Sequence, residues 1–486
     1  MTPLNRVRGG FHEAGYTVQG VRELLGPVAG GALARDEIVP ALRVTGGGSP
    51  LEALTRLFWL QVPVPDEALP GLADHLVAAG LAARSGRELR AMVHIEPLES
   101  GSAHLGFVVS DPKVRPGSGM VLAPDHVVGG GGASANLAGL VVHGPVDSVL
   151  DLGTGSGVQA LHLAGRAARI CATDVNPRAL ELARVSLALS GVEQVELLEG
   201  SLFEPVRDRT FDLIVANPPF VISPDTARFS YRESGLPGDE VCRRLVVEAP
   251  RHLGDGGWCQ LLANWLHVEG EPWQERVGRW ADEAGCDAWV VQRDVQDPAE
   301  YAELWLRDSC EVGTPEYQRR YDAWLESFER SKVEGVGFGW ITLRKGGSRT
   351  VRIEELRQAV EQPVGAYAAD VVGGFADGAE LPWRLDWSDV ILKTADGVVQ
   401  EQTGPPGAED PERIVLRQTG RLRRAAGVGT VEAALAGVCD GTLPLGPLLA
   451  AIAQLLDLPL SDVEAHAQAV LPELVADGFF EISDFG

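Results

Sequence analysis

A chain of 486 residues exceeds one ordinary core and predicts roughly two to four domains. Its 45% hydrophobic and 23% charged residues suit a globular protein; no apolar run approaches the ~18–20 residues that span a bilayer, and six scattered cysteines without a C-x-x-C pair favour free thiols over disulfides or a zinc site. A net charge of −26 and a pI near 4.8 exclude a protein that coats naked nucleic acid, which needs a basic surface, while leaving room for a local basic patch.

The opening stretch MTPLNRVRGGFHEAGYTV lacks the apolar segment of a signal peptide, so a cytoplasmic chain is expected. An apolar helix pattern in LEALTRLFWL (51–60) leads to LADHLVAAGLAAR (72–84), where a helix should end at Gly80 and enter a short strand. From about 140 to 345, short apolar runs alternate with helix-like ones. SVLDLG (148–153) reads as a strand, 157–167 as a helix, RICATD (169–174) as a strand, 177–191 as a helix and VELLEG (195–200) as a strand, followed by FDLIVAN (211–217). Helix 239–253, strand 258–263, helix 272–285, strand 288–292, helices near 298–308 and 315–331, and strand 337–343 complete the series. This alternation predicts an α/β, Rossmann-like domain with a mostly parallel sheet covered on both faces, whose ligands bind at the carboxyl ends of the strands.

RKGGSRT (344–350) reads as the exit from that domain and QTGPPGAEDPE (402–412) as a loop. Beyond it, LGPLLAAIAQLLDL (445–458) leads to VLPELVADGFFEI (470–482), with Gly478 in the role of Gly80. Both flanks therefore share a helix–glycine–strand pattern, that of a winged-helix unit or of a small helical domain packed on the central one. The expected division is an N-terminal accessory domain over 1–110, an α/β domain over 111–345 and a C-terminal accessory domain over 346–486.

DLGTGSGVQA (151–160) is a strand that breaks into Gly153, Gly155 and Gly157 before a helix, which lets the backbone approach a ligand closely. By itself this also satisfies the alanine-ended dinucleotide fingerprint, and Asp174 at the end of the next strand suits ribose hydroxyls either way. Asp151, two residues before the glycines, suits a ligand ammonium better than a pyrophosphate, and a nicotinamide enzyme has no use for Asn217-Pro218-Pro219-Phe220 at a strand end. VLDLGTGSG, ATDVNPRALELAR, EGSLFEP and FDLIVANPPF, in this order and spacing, resemble class I S-adenosylmethionine-dependent methyltransferases. The likeness is greatest to the branch of HemK-like glutamine, adenine-N6 and ribosomal RNA guanine-N2 enzymes, and it covers about 200 of the 486 residues.

The resemblance implies a seven-stranded domain that binds S-adenosyl-L-methionine. It puts Gly153, Gly155 and Gly157 under the methionine part and Asp151 at its amino group, directly or through water. Asp174 falls on the ribose, Val175 and Asn176 beside the adenine, and Ser201 and Leu202 at the adenine edge; many relatives carry Asp in the place of Ser201. A nitrogen conjugated to a π-system is a poor nucleophile, and a site helps by accepting from both of its N–H groups. The Asn217 side-chain oxygen and the Pro218 carbonyl are suitable acceptors, proline rigidity fixes the latter, and Phe220 can stack on the planar group. The expected catalytic set is thus Asn217, Pro218 and Phe220, with no general base and no metal.

These features lead us to expect an N-methyltransferase acting on a planar amide or amino nitrogen of a macromolecule, either protein glutamine or an RNA or DNA base. A noncatalytic cofactor- or nucleic-acid-binding protein and a small-molecule N-methyltransferase are the alternatives. GSGMVLAPDHVVGGGGASANLAGLVV (117–142) lies where these families place a substrate-facing lid, and its glycines 129–132 suggest either a mobile gate or a plain connector. RQTGRLRR (417–424) is the basic cluster available to nucleic acid, though such a cluster is more often a solvated, ion-paired face. Nothing in the sequence sets an oligomeric state, and no membrane partner is expected.

Overall fold

The computed structural model describes residues 2–114, 122–142, 144–224, 233, 235–307, 312–376, 387–407 and 411–483. The chain forms two compact units, one of residues 1–138, 144–285 and 290–345, the other of residues 139–143, 286–289 and 346–486.

The first unit opens with α1 (Pro3–Glu13), α2 (Val18–Leu33), α3 (Val39–Val44) and α4 (Pro50–Leu54), the last running on as a π-turn over Thr55–Trp59. Local chemistry starts these helices: Thr2 Oγ1 accepts from Asn5 N, and Ser49 and Glu52 form a reciprocal capping box before α4. Then come β1 (Val64–Pro65), α5 (Ala73–Ala78), β2 (Ala82–Ser85) and β3 (Glu88–Ala91), whose strands pair antiparallel in the order β1-β3-β2. A hairpin of β4 (His94–Ser100) and β5 (Ala103–Ser110) follows, then α6 (Gly132–Leu140).

The α/β part runs β6 (Val146–Leu152), α7 (Val158–Leu163), β7 (Ala167–Asp174), α8 (Pro177–Ser190), β8 (Val195–Glu199), β9 (Phe211–Ala216), α9 (Glu240–Glu248), β10 (Leu253–Val268), α10 (Trp273–Ala284), β11 (Asp287–Gln296), α11 (Pro298–Arg307), α12 (Pro315–Arg330) and β12 (Val333–Arg344). Seven of its strands lie in the order β8-β7-β6-β9-β10-β12-β11. Pairs β7/β8, β6/β7, β6/β9 and β9/β10 are parallel, while β10/β12 is antiparallel. The order reverses between β6 and β9, so the crevice at their carboxyl ends is a topological switch point.

The region expected over 1–110 shares one core with this sheet's helices. Val7, Phe11, Phe58 and Phe107 cluster with Leu182 and Leu189 of α8, and the Phe11 ring meets that of Phe107 edge-on at 5.0 Å. Two serines of α8 tie the hairpin down: Val109 N donates to Ser186 Oγ at 2.9 Å and Phe107 N to Ser190 Oγ at 2.8 Å. The hairpin thereby delivers the segment after β5 to the carboxyl edge of the sheet.

The second unit contains β13 (Val351–Glu355), α13 (Gly365–Ala376), β14 (Ile391–Thr394), β15 (Val398–Thr403), β16 (Arg413–Gln418), β17 (Ala425–Val428), α14 (Thr430–Val438), β18 (Asp440–Pro444), α15 (Leu445–Leu455), α16 (Leu460–Ala476) and β19 (Phe480–Ile482). Two antiparallel sheets, β18-β14-β19 and β15-β16-β17, accompany a core that includes Trp387, Leu435, Leu449, Leu471 and Phe480. Arg417 lies on β16 and Arg421, Arg423 and Arg424 in the turn that follows, not on a helix. Arg417 pairs with Glu401, Arg421 with Glu481, and the buried Arg424 with Glu354 and Asp477, so three of the four arginines are ion-paired.

Candidate functional site

The carboxyl ends of β6, β7, β8 and β9 surround a cleft of about 640 Å³, within the ~300–1,000 Å³ usual for ligand sites. After Leu152 the chain enters Gly153, Thr154, Gly155, Ser156 and Gly157, and its three glycines have φ of 75°, 55° and 84°, the left-handed region that a side chain disfavours. Gly153 N and Thr154 N both donate to Thr173 O at 2.9 Å, which folds the turn against β7. A Cβ on Gly157 would lie 3.4 Å from that of Ala183, so this glycine sets how closely the loop packs on α8.

Asp174 is the hub of the cleft. Its Oδ2 accepts from Gly155 N and its Oδ1 from Asn176 N, each at 2.9 Å, so one carboxylate joins the glycine loop to the start of α8. Burial pushes its pKa up, against the lowering pull of the main-chain N–H groups of Asn176, Gly155 and Val175. The lone pairs that these N–H groups leave on the carboxylate are open to a further donor. Val175, Asn176, Ser201 and Leu202 line the same cleft, and Leu202 has φ 47°, a costly conformation for a branched side chain that fixes the loop after β8.

Asp151 sits beneath the loop rather than in the cleft wall. It is 1% exposed, and its Oδ2 accepts from Thr154 Oγ1 at 2.6 Å and from Ala160 N at 3.1 Å. Burial raises its pKa to about 6, with the nearby Asp174 charge adding to the effect. Its role in the structure is to brace the turn against α7. Gly157 likewise packs below the surface of the cleft, whose lining includes Gly153 and Gly155.

β9 delivers Asn217 beside the glycine turn: a Cβ built on Gly153 would lie 4.0 Å from Asn217 O. Asn217 and Pro219 line the cleft, while Pro218 is buried behind them and Phe220 is half-buried in an antiparallel bridge to Glu233. The segment is held from below by Tyr301, fully buried, whose hydroxyl accepts from Ile222 N at 3.0 Å and from Asn264 Nδ2 at 2.9 Å.

Sequence reasoning did not single out several wall residues. Glu233, Leu236, Val241 and Arg244 form the side next to Asn217, and Gln159 and Thr173 the floor; residues 225–232 and 234 of that loop lie outside the described residues. The segment expected to be a lid, of which 117–121 also lie outside them, forms a strap along the opposite wall through Pro124, Asp125, Val127, Val128, Gly129 and Ser134. It is tied on the cleft side by Asn176 Nδ2 to Asp125 O, Ser156 Oγ to Val128 O and Gln159 Nε2 to Ser134 O, at 2.9, 2.5 and 2.8 Å. From the N-terminal hairpin, Asp111 accepts from Val127 N and Glu96 from Gly130 N. The only sequence signal for this strap was its glycine run, which points to freedom rather than to five tethers.

Two family profiles match the chain: residues 133–272 match the methyltransferase small domain, and residues 13–92 match a domain of unknown function, DUF7059. A release factor glutamine methyltransferase of Geobacter sulfurreducens is 37% identical over 157 residues, 30% of this chain and 53% of that protein. A ribosomal protein uL3 glutamine methyltransferase of Bradyrhizobium diazoefficiens is 32% identical over 209 residues, 39% of this chain and 64% of that protein. The chain thus spans about half to two thirds of the length of these curated relatives. Among solved structures, the YcgJ protein of Bacillus subtilis aligns at 15% identity and a TM-score of 0.31, over 44% of this chain and 97% of that one. The order of the strands and the glycine turn accord with the match of residues 133–272 to the methyltransferase small domain.

Proposed function

We propose that this protein transfers a methyl group from S-adenosylmethionine to the amide nitrogen of a glutamine side chain in a protein. The observation that carries the reading is that Asn217 and Pro219 wall the same cleft as Asp174 and the glycine turn, so a methyl donor and a planar amide would meet there. The residues present suit the donor: Asp174 for the ribose, Val175 and Leu202 flanking the base, and Gly153 and Gly155 with no side chain to bar the methionine part. When bound, it supplies a methyl on a sulfonium, which needs no activation by a metal.

The chain's own residues supply orientation. An amide N–H donating to Asn217 Oδ1, with the other N–H donating to the main-chain carbonyl of Pro218, whose ring lies behind the wall, would turn the nitrogen lone pair toward the methyl and steady the positive charge that develops. The nitrogen–methyl bond forms as the sulfur–methyl bond breaks, and the surplus proton leaves to water. The names of the relatives favour glutamine over a nucleobase, and the ion pairs of Arg417, Arg421 and Arg424 weaken the main sequence argument for nucleic acid.

The test is tritiated S-adenosylmethionine with a lysate of a strain that lacks the protein, fractionated into protein, RNA and small molecules, using wild type and Asn217→Ala. Label in the protein fraction that needs Asn217 and maps to glutamine supports the proposal. Label in RNA would transfer the activity to a base. No label despite measured binding of S-adenosylhomocysteine would leave a cofactor-binding protein without catalysis.

A further inference from the structure

The second unit holds a cavity of about 420 Å³ between the start of α14 and the turn from α15 to α16, lined by Thr430, Val431, Leu456, Leu458, Asp462 and His466 among others. Of the four leucines within the six residues 455–460, three are open to solvent: Leu455 is 80% exposed, Leu458 47% and Leu460 41%. An exposed apolar cluster next to an open cavity marks an interaction surface.

Charge says what covers it. From Ala425 to Ser483 the sequence contains eight carboxylates and not one lysine or arginine, and Asp457, Asp462 and Glu464 are exposed along the turn itself. The polar wall of the cavity is already satisfied: Glu432, 2% exposed, accepts from Gly429 N and meets His466 Nε2 at 2.6 Å. The exposed acids are therefore the groups available for recognition. A phosphate backbone would be repelled. A second copy docking by a two-fold axis would set the same acids against themselves.

We propose that this turn and cavity dock a lysine- or arginine-rich protein segment, which inserts an apolar side chain beside Leu458 while its cations face Asp457, Asp462 and Glu464. The inference concerns a surface of the second unit and does not rest on the proposed methyl transfer.

The full-length protein would be titrated, by fluorescence anisotropy, with a short amphipathic Lys/Leu peptide, its Glu/Leu counterpart and a Lys/Ser peptide without the anchor. Leu458→Asp and the double variant Asp457→Lys/Asp462→Lys should each weaken the Lys/Leu complex about tenfold or more. S-adenosylhomocysteine affinity should not change, since every altered residue is exposed and belongs to the second unit, while the double variant should lose a little thermal stability because Asp457 holds φ 55° and Asp462 sits in the first turn of α16. The Lys/Ser peptide should bind more weakly and the Glu/Leu peptide not at all. Equal binding of the Lys/Leu peptide to wild type and both variants would reduce the effect to diffuse attraction by an acidic chain and overturn the proposal. So would binding of single-stranded RNA that depends on Leu458, or a wild-type dimer that Leu458→Asp dissolves.

Discussion

Replacing Asp151 by asparagine separates two roles for one carboxylate, a contact to the ligand and a brace under the loop. Its pKa rises from an ordinary 3.8 to about 6 in the folded protein, chiefly through burial. A carboxyl whose folded value lies above its unfolded one binds more protons in the native state between those values. Stability therefore falls as pH rises through the window from about 4 to 6 and then levels off. The size of the effect, from the width of that window, is about 3 kcal/mol. An asparagine side chain in its place would be neutral throughout while keeping an oxygen for Thr154 Oγ1 and Ala160 N. Relative to wild type, the Asp151→Asn variant should thus gain about 3 kcal/mol between pH 4 and pH 7, read from paired urea unfolding curves. Parallel pH dependences for the two proteins would refute the buried-brace account. Ligands supply the second arm: a brace affects S-adenosylhomocysteine and 5′-methylthioadenosine alike, whereas an amino-group contact weakens only the former.

Three further substitutions probe the same architecture. Asp174→Ala removes the acceptor shared by Gly155 N and Asn176 N as well as the expected ribose contacts, and S-adenosylhomocysteine affinity measured calorimetrically should drop by about 1.5–3 kcal/mol. Tyr301→Phe leaves Ile222 N and Asn264 Nδ2 buried without their acceptor; an expected loss of about 1–3 kcal/mol in stability should accompany a fall in kcat that exceeds any change in cofactor affinity. Gly157→Ala forces a side chain onto φ 84° and should cost about 1–2 kcal/mol, seen as a lower Tm with S-adenosylhomocysteine binding weakened in step.

Much of the α/β part was legible because its signals are local. The strands expected over 148–153, 169–174, 195–200 and 211–217 match β6, β7, β8 and β9 to within one or two residues at each end, and Asn176-Pro177 opens α8 through its own cap. Less legible was β10, expected over 258–263 and observed from Leu253 to Val268. Pairing with β12 carries the buried, polar Asn264 into the strand beyond the expected end, where periodicity gives no cue. The helix expected over 157–167 stops at Leu163, before Gly165.

The sequence by itself determined the kind of site, because glycine turns, strand-end carboxylates and the Asn-Pro-Pro-Phe run act through their immediate neighbours in the chain. Tertiary structure alone decided depth and closure. It sank Asp151 beneath the turn, turned Pro219 into the wall while burying Pro218, and drew a glycine-rich segment into a strap through side chains as distant in sequence as Glu96 and Asn176. A hydrogen bond between residues far apart in the chain leaves no periodic or local trace, so only the folded arrangement reveals it.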